Sequence, residues 1–450
     1  MEAAKEEQPA AVPEGATQAG DIRARWAWVE PSVWTDRMLE ALEKGVKGGK
    51  WFSLIDKVYR RENLRAAFRE VAANKGAPGV DHVTIEQFAS EEETQLERLE
   101  QALKDGTYRP QAIRRVYIPK PGSREKRPLG IPTVRDRTVE AALRHVMEPI
   151  FEQRFAERSY GFRPGRGCKD ALREVDRLLR AGYRHVVEAD WKSYFDTIPW
   201  GHLMTRIEEQ IADGRVLELV KAFLSQGVME TGELTAATEG TPQGGVISPL
   251  LANIYLDALD RHMAHRGYVM VRYADDLVIL CRNREQAQAA LEELCAWSQE
   301  AGLTLHPDKT RCVNMNEPGA GFDFLGYHFA HTRTGKLDRW PREKSVRKFK
   351  DSIRAVTRRS NGHSIEQIIR QTNGIARGWY EYFKHGNRWT FPALDGWIRH
   401  RLRCILRRRQ HRKGRARGPD HQRWPNAYFA ERGLFSMTQA QTLALQPTRW

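Results

Sequence analysis

Acidic residues follow runs of apolar residues that have the pattern of β-strands. Asp275 and Asp276 are adjacent and lie between the apolar runs 269–273 and 277–281, and Asp190 lies near the end of the run 185–191. Two adjacent carboxylates in a turn repel each other unless a cation neutralises them. Carboxylates at the ends of neighbouring strands can hold two Mg²⁺ ions roughly 3.5–4 Å apart, which is an arrangement for nucleotidyl transfer. A polar turn without metal is the alternative, because Asp is a common turn residue.

The segments around these carboxylates alternate between helix and strand patterns. The order strand, helix, hairpin, helix, strand predicts an α+β fold, in which a mostly antiparallel sheet of the split βαβ type is flanked by helices. The predicted elements, in chain order, are a helix over 169–179, a strand over 185–191, a helix over 249–263, a hairpin over 268–281, a helix over 285–300, and strands over 303–305 and 311–315.

The composition excludes several classes of protein. The chain has 450 residues, and 73 Lys and Arg against 58 Asp and Glu give a net charge of +15. This excess favours a polyanionic partner such as nucleic acid. No apolar run reaches the roughly 18 residues of a membrane span, and residues 1–20 lack the basic start and apolar core of a signal peptide. The five cysteines lack zinc-site spacing, so we expect free thiols in the reducing cytoplasm.

Positive charge is concentrated towards the C-terminus. Residues 331–420 contain 25 Lys and Arg but only 7 Asp and Glu, a net charge of +18, so the rest of the chain carries about −3. The sequence therefore predicts a nearly neutral body joined to a basic C-terminal region, with the boundary near residues 327–336. Residues 1–20 are rich in Ala, Glu, Gln, Pro and Gly, which predicts a disordered leader.

Short motifs in the body resemble one enzyme family. The segments 273–276 (Tyr-Ala-Asp-Asp) and 190–196 (Asp-Trp-Lys-Ser-Tyr-Phe-Asp) resemble palm motifs of reverse transcriptases. With the segments below, which occur in the expected order over about residues 50–400, the chain resembles the reverse transcriptase/maturase encoded by bacterial group II introns. These segments are 74–81, 117–121, 127–132, 160–166, 240–250, 307–310 and 324–326 in the body, and 373–374 with 378–383 in the basic region.

The resemblance implies a right-hand polymerase with fingers, palm and an α-helical thumb. Residues 1–45 would then be the leader and an N-terminal extension, 46–330 the fingers and palm, 331–410 the basic thumb or maturase domain, and 411–450 a short tail that can bind DNA. Family members often carry a C-terminal nuclease with a cysteine pair. No cysteine follows residue 420, so we expect no endonuclease.

The resemblance also assigns roles to the acidic residues. Asp190 and Asp275 would be direct ligands of two Mg²⁺ ions, and Asp276 would complete the catalytic triad while binding metal less directly. The backbone carbonyl of Trp191 would be a further metal ligand. Asp196 is expected to be structural, as a cap or an ion-pair partner.

A second set of residues is expected to bind the incoming dNTP. Lys120 and Arg127 would hold the triphosphate, because phosphate requires fixed positive donors. The resemblance implies that Phe195 is a steric gate against the ribose 2′-hydroxyl, although a core aromatic is the alternative. Gln243 and Gly244 match the pair that touches the nucleotide, and Lys309 would neutralise or protonate the departing pyrophosphate.

The remaining predicted contacts are with nucleic acid. Arg163 and Arg166 lie in a loop rich in Gly and Pro and are expected to contact template or primer phosphates. In the thumb, basic runs alternate with aromatic clusters, which predicts salt-sensitive RNA binding along the helices. The thumb residues predicted to bind nucleic acid are Arg342, Lys344, Arg347 and Lys348.

The predicted function is RNA-directed DNA synthesis for a group II intron, with intron RNA, template RNA, a DNA primer or target and dNTPs as partners. Assistance to intron splicing and mobility would accompany it. Two alternatives are open. One is a domesticated relative that serves phage defence, CRISPR spacer acquisition or DNA repair. The other is a splicing factor that binds RNA without catalysis, against which the complete set of acidic residues argues.

Overall fold

The computed structural model of the chain describes residues 19–46, 48–119, 126–332, 334–387 and 389–445. Its helices, in chain order, are α1 Ala19–Arg25, α2 Asp36–Lys44, α3 Ile55–Val58, α4 Arg61–Ala73, α5 Ile85–Ser90, α6 Glu92–Asp105, α7 Val134–Glu152, α8 Cys168–Arg180, α9 Trp200–Glu208, α10 Gly214–Ser225, α11 Ser248–His265, α12 Arg284–Glu300, α13 Glu343–Val356, α14 Ile365–Phe383, α15 Thr390–Arg409, α16 Gly418–Arg423, α17 Asn426–Glu431 and α18 Met437–Leu445. Its strands are β1 Ile113–Pro119, β2 Lys126–Ile131, β3 His185–Ala189, β4 Val228–Glu230, β5 Glu233–Thr235, β6 Val269–Tyr273, β7 Asp276–Cys281, β8 Arg311–Asn314, β9 Gly321–Phe324, β10 Tyr327–His331 and β11 Leu337–Pro341.

The sheet that carries the acidic residues has the strand order β6-β7-β3-β8, and all neighbours are antiparallel. Both of its faces are covered. On β7, Leu277 and Ile279 belong to a core with α11 and α12, whereas Val278 and Leu280 pack with α8 on the other face. Burial on both faces explains why β7 is apolar without alternation. The predicted α+β fold with an antiparallel sheet flanked by helices is therefore confirmed.

One predicted strand is wrong. Residues 303–305 form no strand, and only Leu305 makes a single bridge, which is with Trp191. The backbone N–H of Lys192 donates to the carbonyl of Thr304 at 2.9 Å, and that of His306 donates to Asp190 at 2.8 Å. The segment is therefore tied to the loop after β3 instead of extending the sheet.

Two further sheets lie beside the sheet β6-β7-β3-β8, which we call the palm. The fingers sheet has the order β2-β1-β4-β5, in which β1 and β2 form an antiparallel hairpin and β4 lies parallel to β1. The other sheet, β11-β10-β9, packs on the palm through Phe322, Phe324 and Phe329. This sheet continues to Pro341, past the boundary predicted at residue 330, because β11 pairs along the whole of β10.

The N-terminal extension joins the main core. In the described part of residues 1–45, α1 and α2 pack against the body, and the Trp34 indole N–H donates to the carbonyl of His145 at 2.8 Å. The leader predicted over residues 1–20 lies almost entirely outside the described residues. No helix among the described residues is both long enough and apolar enough to cross a membrane.

The basic C-terminal region is helical, as predicted. Helices α13, α14 and α15 share an apolar core that contains Phe349, Ile369 and Ile398. The short helices α16 to α18 add Trp424 and Phe429 to the same core. The segment predicted as a separate tail, residues 411–450, is thus part of the thumb as far as residue 445.

Candidate active site

Strand register brings the three predicted catalytic carboxylates to one edge of the palm. Ala189 of β3 pairs with Leu277 of β7, so the next positions along the two antiparallel strands are Asp190 and Asp276. Tyr273 pairs with Asp276 and closes the β6–β7 hairpin, whose loop is Ala274 and Asp275. Residues separated by more than eighty positions in the sequence therefore meet at a two-residue turn.

The turn has a strained backbone that neighbouring elements support. Ala274 has a φ of 56°, in the left-handed region that non-glycine residues rarely adopt. Gly161 lies directly against it, and a side chain at position 161 would overlap the Ala274 backbone. The loop 160–166 therefore requires glycine there for close approach to the catalytic turn.

A buried ion pair between Arg272 and Asp260 supports the turn of the β6–β7 hairpin. Arg272 is completely buried, and its Nε donates to Asp260 Oδ1 at 2.9 Å. Its Nη1 donates to Asn253 Oδ1 at 3.0 Å and to the Ala274 carbonyl at 2.9 Å, while Asn253 Nδ2 donates to Gly161 at 2.7 Å. These supporting residues were not predicted from the sequence. A charged residue inside the apolar run 269–273 was the available signal, because a buried charge needs a partner.

The carboxylates of the hairpin have perturbed acidity. The pKa of Asp276 is raised to about 7, mainly by burial. The charges of Asp275 and Asp190 contribute to this rise, whereas the Leu325 N–H and the charge of Arg342 lower the pKa. Burial also raises the pKa of Asp275, and the charge of Asp190 adds to the effect. Mutual repulsion of this kind is relieved when a cation binds.

Lys309 supplies one positive charge at this edge. Its ammonium contacts Asp190 Oδ2, and the Lys309 side chain is 57% exposed. Trp191 is buried, and its indole N–H donates to Ser298 Oγ at 3.2 Å, which fixes the loop after β3. Lys309 is thus in contact with a predicted metal ligand.

The donor set fits a divalent metal ion such as Mg²⁺. Three carboxylates that repel each other supply the hard oxygen ligands that Mg²⁺ prefers. As the side chains stand, no group of three His, Cys, Asp or Glu within the described ranges is placed closely enough to hold a metal ion. Asp190 would have to release Lys309 before it could bind a metal ion, so we expect metal binding to require that the Asp190–Lys309 ion pair opens.

The fingers contact the palm at the predicted nucleotide side. Arg127 Nε on β2 donates to Gln243 Oε1 at 3.2 Å, and Gln243 Nε2 donates to Asp196 Oδ2 at 3.0 Å. Three polar side chains from the fingers, the loop 240–247 and the segment after β3 therefore form one chain of hydrogen bonds. Lys120 lies outside the described residues.

The loop 240–247 is fixed by two close contacts. Gly244 has a φ of 118°, and a side chain there would overlap the Gly130 carbonyl on β2. Below the loop, the buried Glu140 of α7 accepts hydrogen bonds from the backbone N–H groups of Val246 and Ile247. Burial raises the pKa of Glu140 to about 7. Glu140 was not predicted from the sequence, in which nothing distinguishes it from the other charged residues of α7.

Phe195 is half-buried, and it fits both interpretations given above. Its ring packs on the main core and lies 5.5 Å, centroid to centroid, from that of Tyr194. Its carbonyl accepts a hydrogen bond from the Thr241 N–H at 2.6 Å, which joins it to the loop that carries Gln243. The role of steric gate stays a prediction.

A cavity of about 390 Å³ lies behind the Gln243 loop, between the fingers sheet and residues 235–243. Arg115 and Thr241 line it, and each has a buried side-chain atom that lacks a hydrogen-bond partner among the described residues. Asp196 and Gln243 lie on the same cavity wall. The nucleotide side of the site is therefore less completely packed than the hairpin side.

Arg163 does not have the environment predicted for it. Its side chain is only 2% exposed; it pairs with Glu152 at 2.8 Å and donates to the carbonyls of Ala156 and Ser159. These acceptors and the burial leave no donor facing solvent, so we correct the prediction and assign Arg163 to the fold. Arg166 is half-buried, donates to the Glu157 carbonyl and lies over the Tyr160 ring, so its phosphate contact stays a prediction.

The predicted thumb contacts lie at the start of α13. Lys344, Arg347 and Lys348 are exposed, and Arg347 pairs with Glu343 at 3.5 Å. Arg342 is half-buried at the helix N-terminus, and its charge acts on Asp276. Arg342 is therefore closer to the catalytic edge than the sequence analysis anticipated.

Two known protein families match parts of the chain. Residues 118–329 match the family described as reverse transcriptase (RNA-dependent DNA polymerase). Residues 346–424 match the family described as group II intron, maturase-specific domain. The first match contains the three predicted catalytic carboxylates, and the second covers the larger part of the helical thumb.

Individual relatives extend the similarity beyond these ranges. The chain is 34% identical to Protein YkfC of Escherichia coli over 352 residues, which cover 69% of the chain and 87% of the relative. It is 42% identical to the group II intron-encoded protein LtrA of Lactococcus lactis over 197 residues, 43% of the chain and 32% of LtrA. The chain therefore belongs to the group II intron family of reverse transcriptases, RNA-directed DNA polymerases that carry a maturase-specific domain.

Proposed function

We propose that the chain copies RNA into DNA by metal-dependent nucleotidyl transfer at the edge formed by Asp190, Asp275 and Asp276. The observation that carries this proposal is the β3–β7 register, which sets Asp190 beside the hairpin turn. Burial, and to a smaller extent the mutual repulsion of these carboxylates, raises the pKa of Asp275 and Asp276, and both effects favour a cation between them.

Asp190 and Asp275 would hold two Mg²⁺ ions, with Asp276 and the Trp191 carbonyl completing the ligands. When bound, these ions would lower the pKa of the primer 3′-hydroxyl and neutralise the charge on the departing pyrophosphate. The protein residues supply the geometry: the buried Arg272 fixes the turn, so the two hairpin carboxylates are oriented before substrate arrives.

The nucleotide would bind between the fingers and the loop 240–247. Arg127 and Gln243 already form one hydrogen-bonded chain, which would open to receive the triphosphate and sugar. Gly244 keeps the loop against β2, and Phe195 would exclude a ribose 2′-hydroxyl. Lys309, released from Asp190, would donate a proton from Nζ to the pyrophosphate. Lys120 belongs to the same proposal on sequence grounds alone.

We further propose that the basic thumb binds intron RNA and so assists splicing and mobility in the bacterial cytoplasm. The match of residues 346–424 to the maturase-specific family supports this role. Arg166, Arg342, Lys344, Arg347 and Lys348 would contact nucleic acid phosphates. Such contacts would make RNA affinity fall steeply as salt concentration rises.

Primer extension tests the polymerase proposal. The wild type should extend a DNA primer on an RNA template with dNTPs and Mg²⁺. The variant Asp275→Asn, which keeps the shape and removes the charge, should lose at least roughly a thousandfold in rate. Asp105→Asn, at an exposed position on α6, is the matched control and should extend normally. A folded wild-type protein that binds RNA but makes no product would reject the proposal and support the non-catalytic splicing factor.

A further inference from the structure

The turn between β9 and β10 contacts both the thumb and the predicted catalytic edge. Leu325 and Gly326 link β9 to β10, and Leu325 has a φ of 47°. The Leu325 carbonyl accepts a hydrogen bond from the Tyr382 hydroxyl of α14 at 2.8 Å. The Gly326 carbonyl accepts from Ser345 Oγ at 3.0 Å and from the Arg342 N–H at 2.9 Å, both at the start of α13. Two thumb helices therefore hold both carbonyls of this turn.

The same turn faces a catalytic carboxylate. The backbone N–H of Leu325 lies beside the Asp276 carboxyl and is placed to donate to it. On the other side, the Cys168 thiol lies beside both the Tyr382 and Tyr273 hydroxyls. Tyr273 is the strand partner of Asp276. The Tyr382 hydroxyl is thus linked to both residues that close the catalytic hairpin.

We propose that Tyr382 is a positioning residue: from the thumb, it holds Asp276 in its metal-binding orientation through the Leu325 peptide and, through Cys168, the hairpin partner Tyr273. The inference rests on the proposed metal-dependent function of the same edge. Tyr382 does not itself touch metal or substrate. Its hydroxyl fixes the peptide whose N–H orients the carboxylate, as outer hydrogen bonds orient metal ligands elsewhere.

The surroundings of Tyr382 allow its hydroxyl to be tested alone. Its ring packs beside Phe383 at 4.8 Å and Tyr327 at 6.0 Å between centroids, and Tyr327 donates to the Tyr382 backbone carbonyl at 2.7 Å. Tyr382→Phe keeps these contacts and removes only the hydrogen bonds of the hydroxyl. The thumb should therefore remain docked while Leu325 becomes free to shift.

The test is Mn²⁺ binding to the full chain without nucleic acid, measured by electron paramagnetic resonance. Outer hydrogen bonds to metal ligands contribute roughly 10- to 100-fold in metal affinity. Tyr382 is separated from the metal ligand by one more hydrogen bond than such a partner. We therefore expect Tyr382→Phe to weaken Mn²⁺ binding roughly 3- to 10-fold. The Mg²⁺ concentration for half-maximal primer extension should rise by the same factor, while the KM for dNTP at saturating Mg²⁺ stays near the wild-type value.

Tyr380→Phe is the matched control. Tyr380 lies two residues earlier on α14, is buried, and its hydroxyl has no hydrogen-bond partner among the described residues. This variant should bind Mn²⁺ like the wild type, whereas Asp276→Asn should bind it much more weakly than either. Equal Mn²⁺ affinity in Tyr382→Phe, Tyr380→Phe and wild type would overturn the inference. A parallel rise of the KM for dNTP and of the Mg²⁺ requirement would also overturn it, because general loosening produces that pattern.

A second variant covers the case in which Tyr382→Phe fails to fold. Ser345→Ala removes the neighbouring hydrogen bond to Gly326 and leaves Tyr382 intact, and it should weaken Mn²⁺ binding in the same direction. Metal binding is read without polymerisation, so the two proposals fail separately. Normal extension with unchanged Mn²⁺ affinity rejects only the Tyr382 inference. Weakened Mn²⁺ binding with no extension by the wild type rejects only the polymerase proposal.

Discussion

The two sides of the catalytic edge are built differently. On the hairpin side, Asp275 and Asp276 rest on the fully buried Arg272 and its ion pair with Asp260. On the nucleotide side, Asp190 pairs with the exposed Lys309, and Arg127 reaches Gln243 from the exposed face of the fingers. Buried hydrogen-bonded charges fix geometry, whereas exposed ion pairs exchange easily with solvent and ligands. The hairpin side is thus preorganised, and the nucleotide side is held by contacts that substrate can replace.

The sharpest test of this contrast is to remove one member of the buried ion pair. Asp260→Asn leaves the Arg272 charge buried and unpaired, and removing one partner of a buried pair costs about 3–5 kcal/mol. Glu40→Gln is the matched change in the exposed Lys44–Glu40 pair, 3.0 Å apart, and it should cost less than about 1 kcal/mol. Denaturant unfolding of both variants measures the difference. Equal destabilisation would mean that the hairpin side is no more rigid than the surface.

The next largest effect is expected at the close contact between loop and fingers. Gly244→Ala would force the loop away from the Gly130 carbonyl, and we expect kcat/KM for dNTP to fall roughly 10- to 100-fold. Gly232→Ala provides the control, because Gly232 also has a positive φ, 90°, but a side chain there meets nothing within 4 Å. Both variants carry backbone strain, so only the loss of activity distinguishes them. Comparable kinetics in steady-state primer extension would contradict the proposed role of Gly244.

The next effect in size concerns the pH dependence of stability that is caused by Glu140, the residue that supports the same loop. Burial raises the pKa of Glu140 to about 7, so the folded state holds this proton more tightly than the unfolded chain does. A raised pKa of a carboxyl group makes stability fall as pH rises from about 4.5 to about 7 and remain level above that. Glu140→Gln removes the charge and should reduce the loss of stability between pH 5 and pH 8 by on the order of 3 kcal/mol.

Thermal unfolding of the wild type and of Glu140→Gln at several pH values measures this change in the pH dependence of stability. Burial also raises the pKa of Glu148, on the same helix, to about 7, so part of the pH dependence should survive in Glu140→Gln. Glu148→Gln is therefore the matched control: it should flatten the same pH range without changing dNTP kinetics, because it lies away from the loop 240–247. If the unfolding midpoint of Glu140→Gln follows that of the wild type at every pH, the carboxylate is not buried as described.

The contrast between the two sides also explains what the sequence predicted. The three carboxylates predicted to be catalytic, together with Gln243 and Gly244, lie in short segments whose residue types suggested their chemistry. Glu140 supports the loop 240–247 from a helix far away in the sequence, and Asp260 lies on the helix that precedes β6. An acidic residue in an amphipathic helix ordinarily indicates a solvated face. Arg163 shows the opposite error, because a basic residue in a Gly- and Pro-rich loop suggested phosphate, whereas Glu152 and two carbonyls occupy it. The partner of a buried charged residue is set by tertiary contacts, and the spacing of residues within a short segment does not reveal it.

The smallest expected effect tests the exchangeable side directly. Lys309→Gln removes the ammonium that contacts Asp190, and the 57% exposure of Lys309 predicts a change in unfolding free energy of no more than about 1 kcal/mol. Because Lys309 competes with a cation for the same oxygen, the variant should bind Mn²⁺ roughly two- to fivefold more tightly without substrate. Lys44→Gln, which breaks an exposed ion pair elsewhere, should leave Mn²⁺ binding unchanged.

With all substrates present, Lys309→Gln should nevertheless extend primers more slowly, because pyrophosphate departs without its proton donor. Weaker Mn²⁺ binding in this variant would show that Lys309 supports the metal ligand instead of giving way to the metal, and the division between a fixed and an exchangeable side would be wrong.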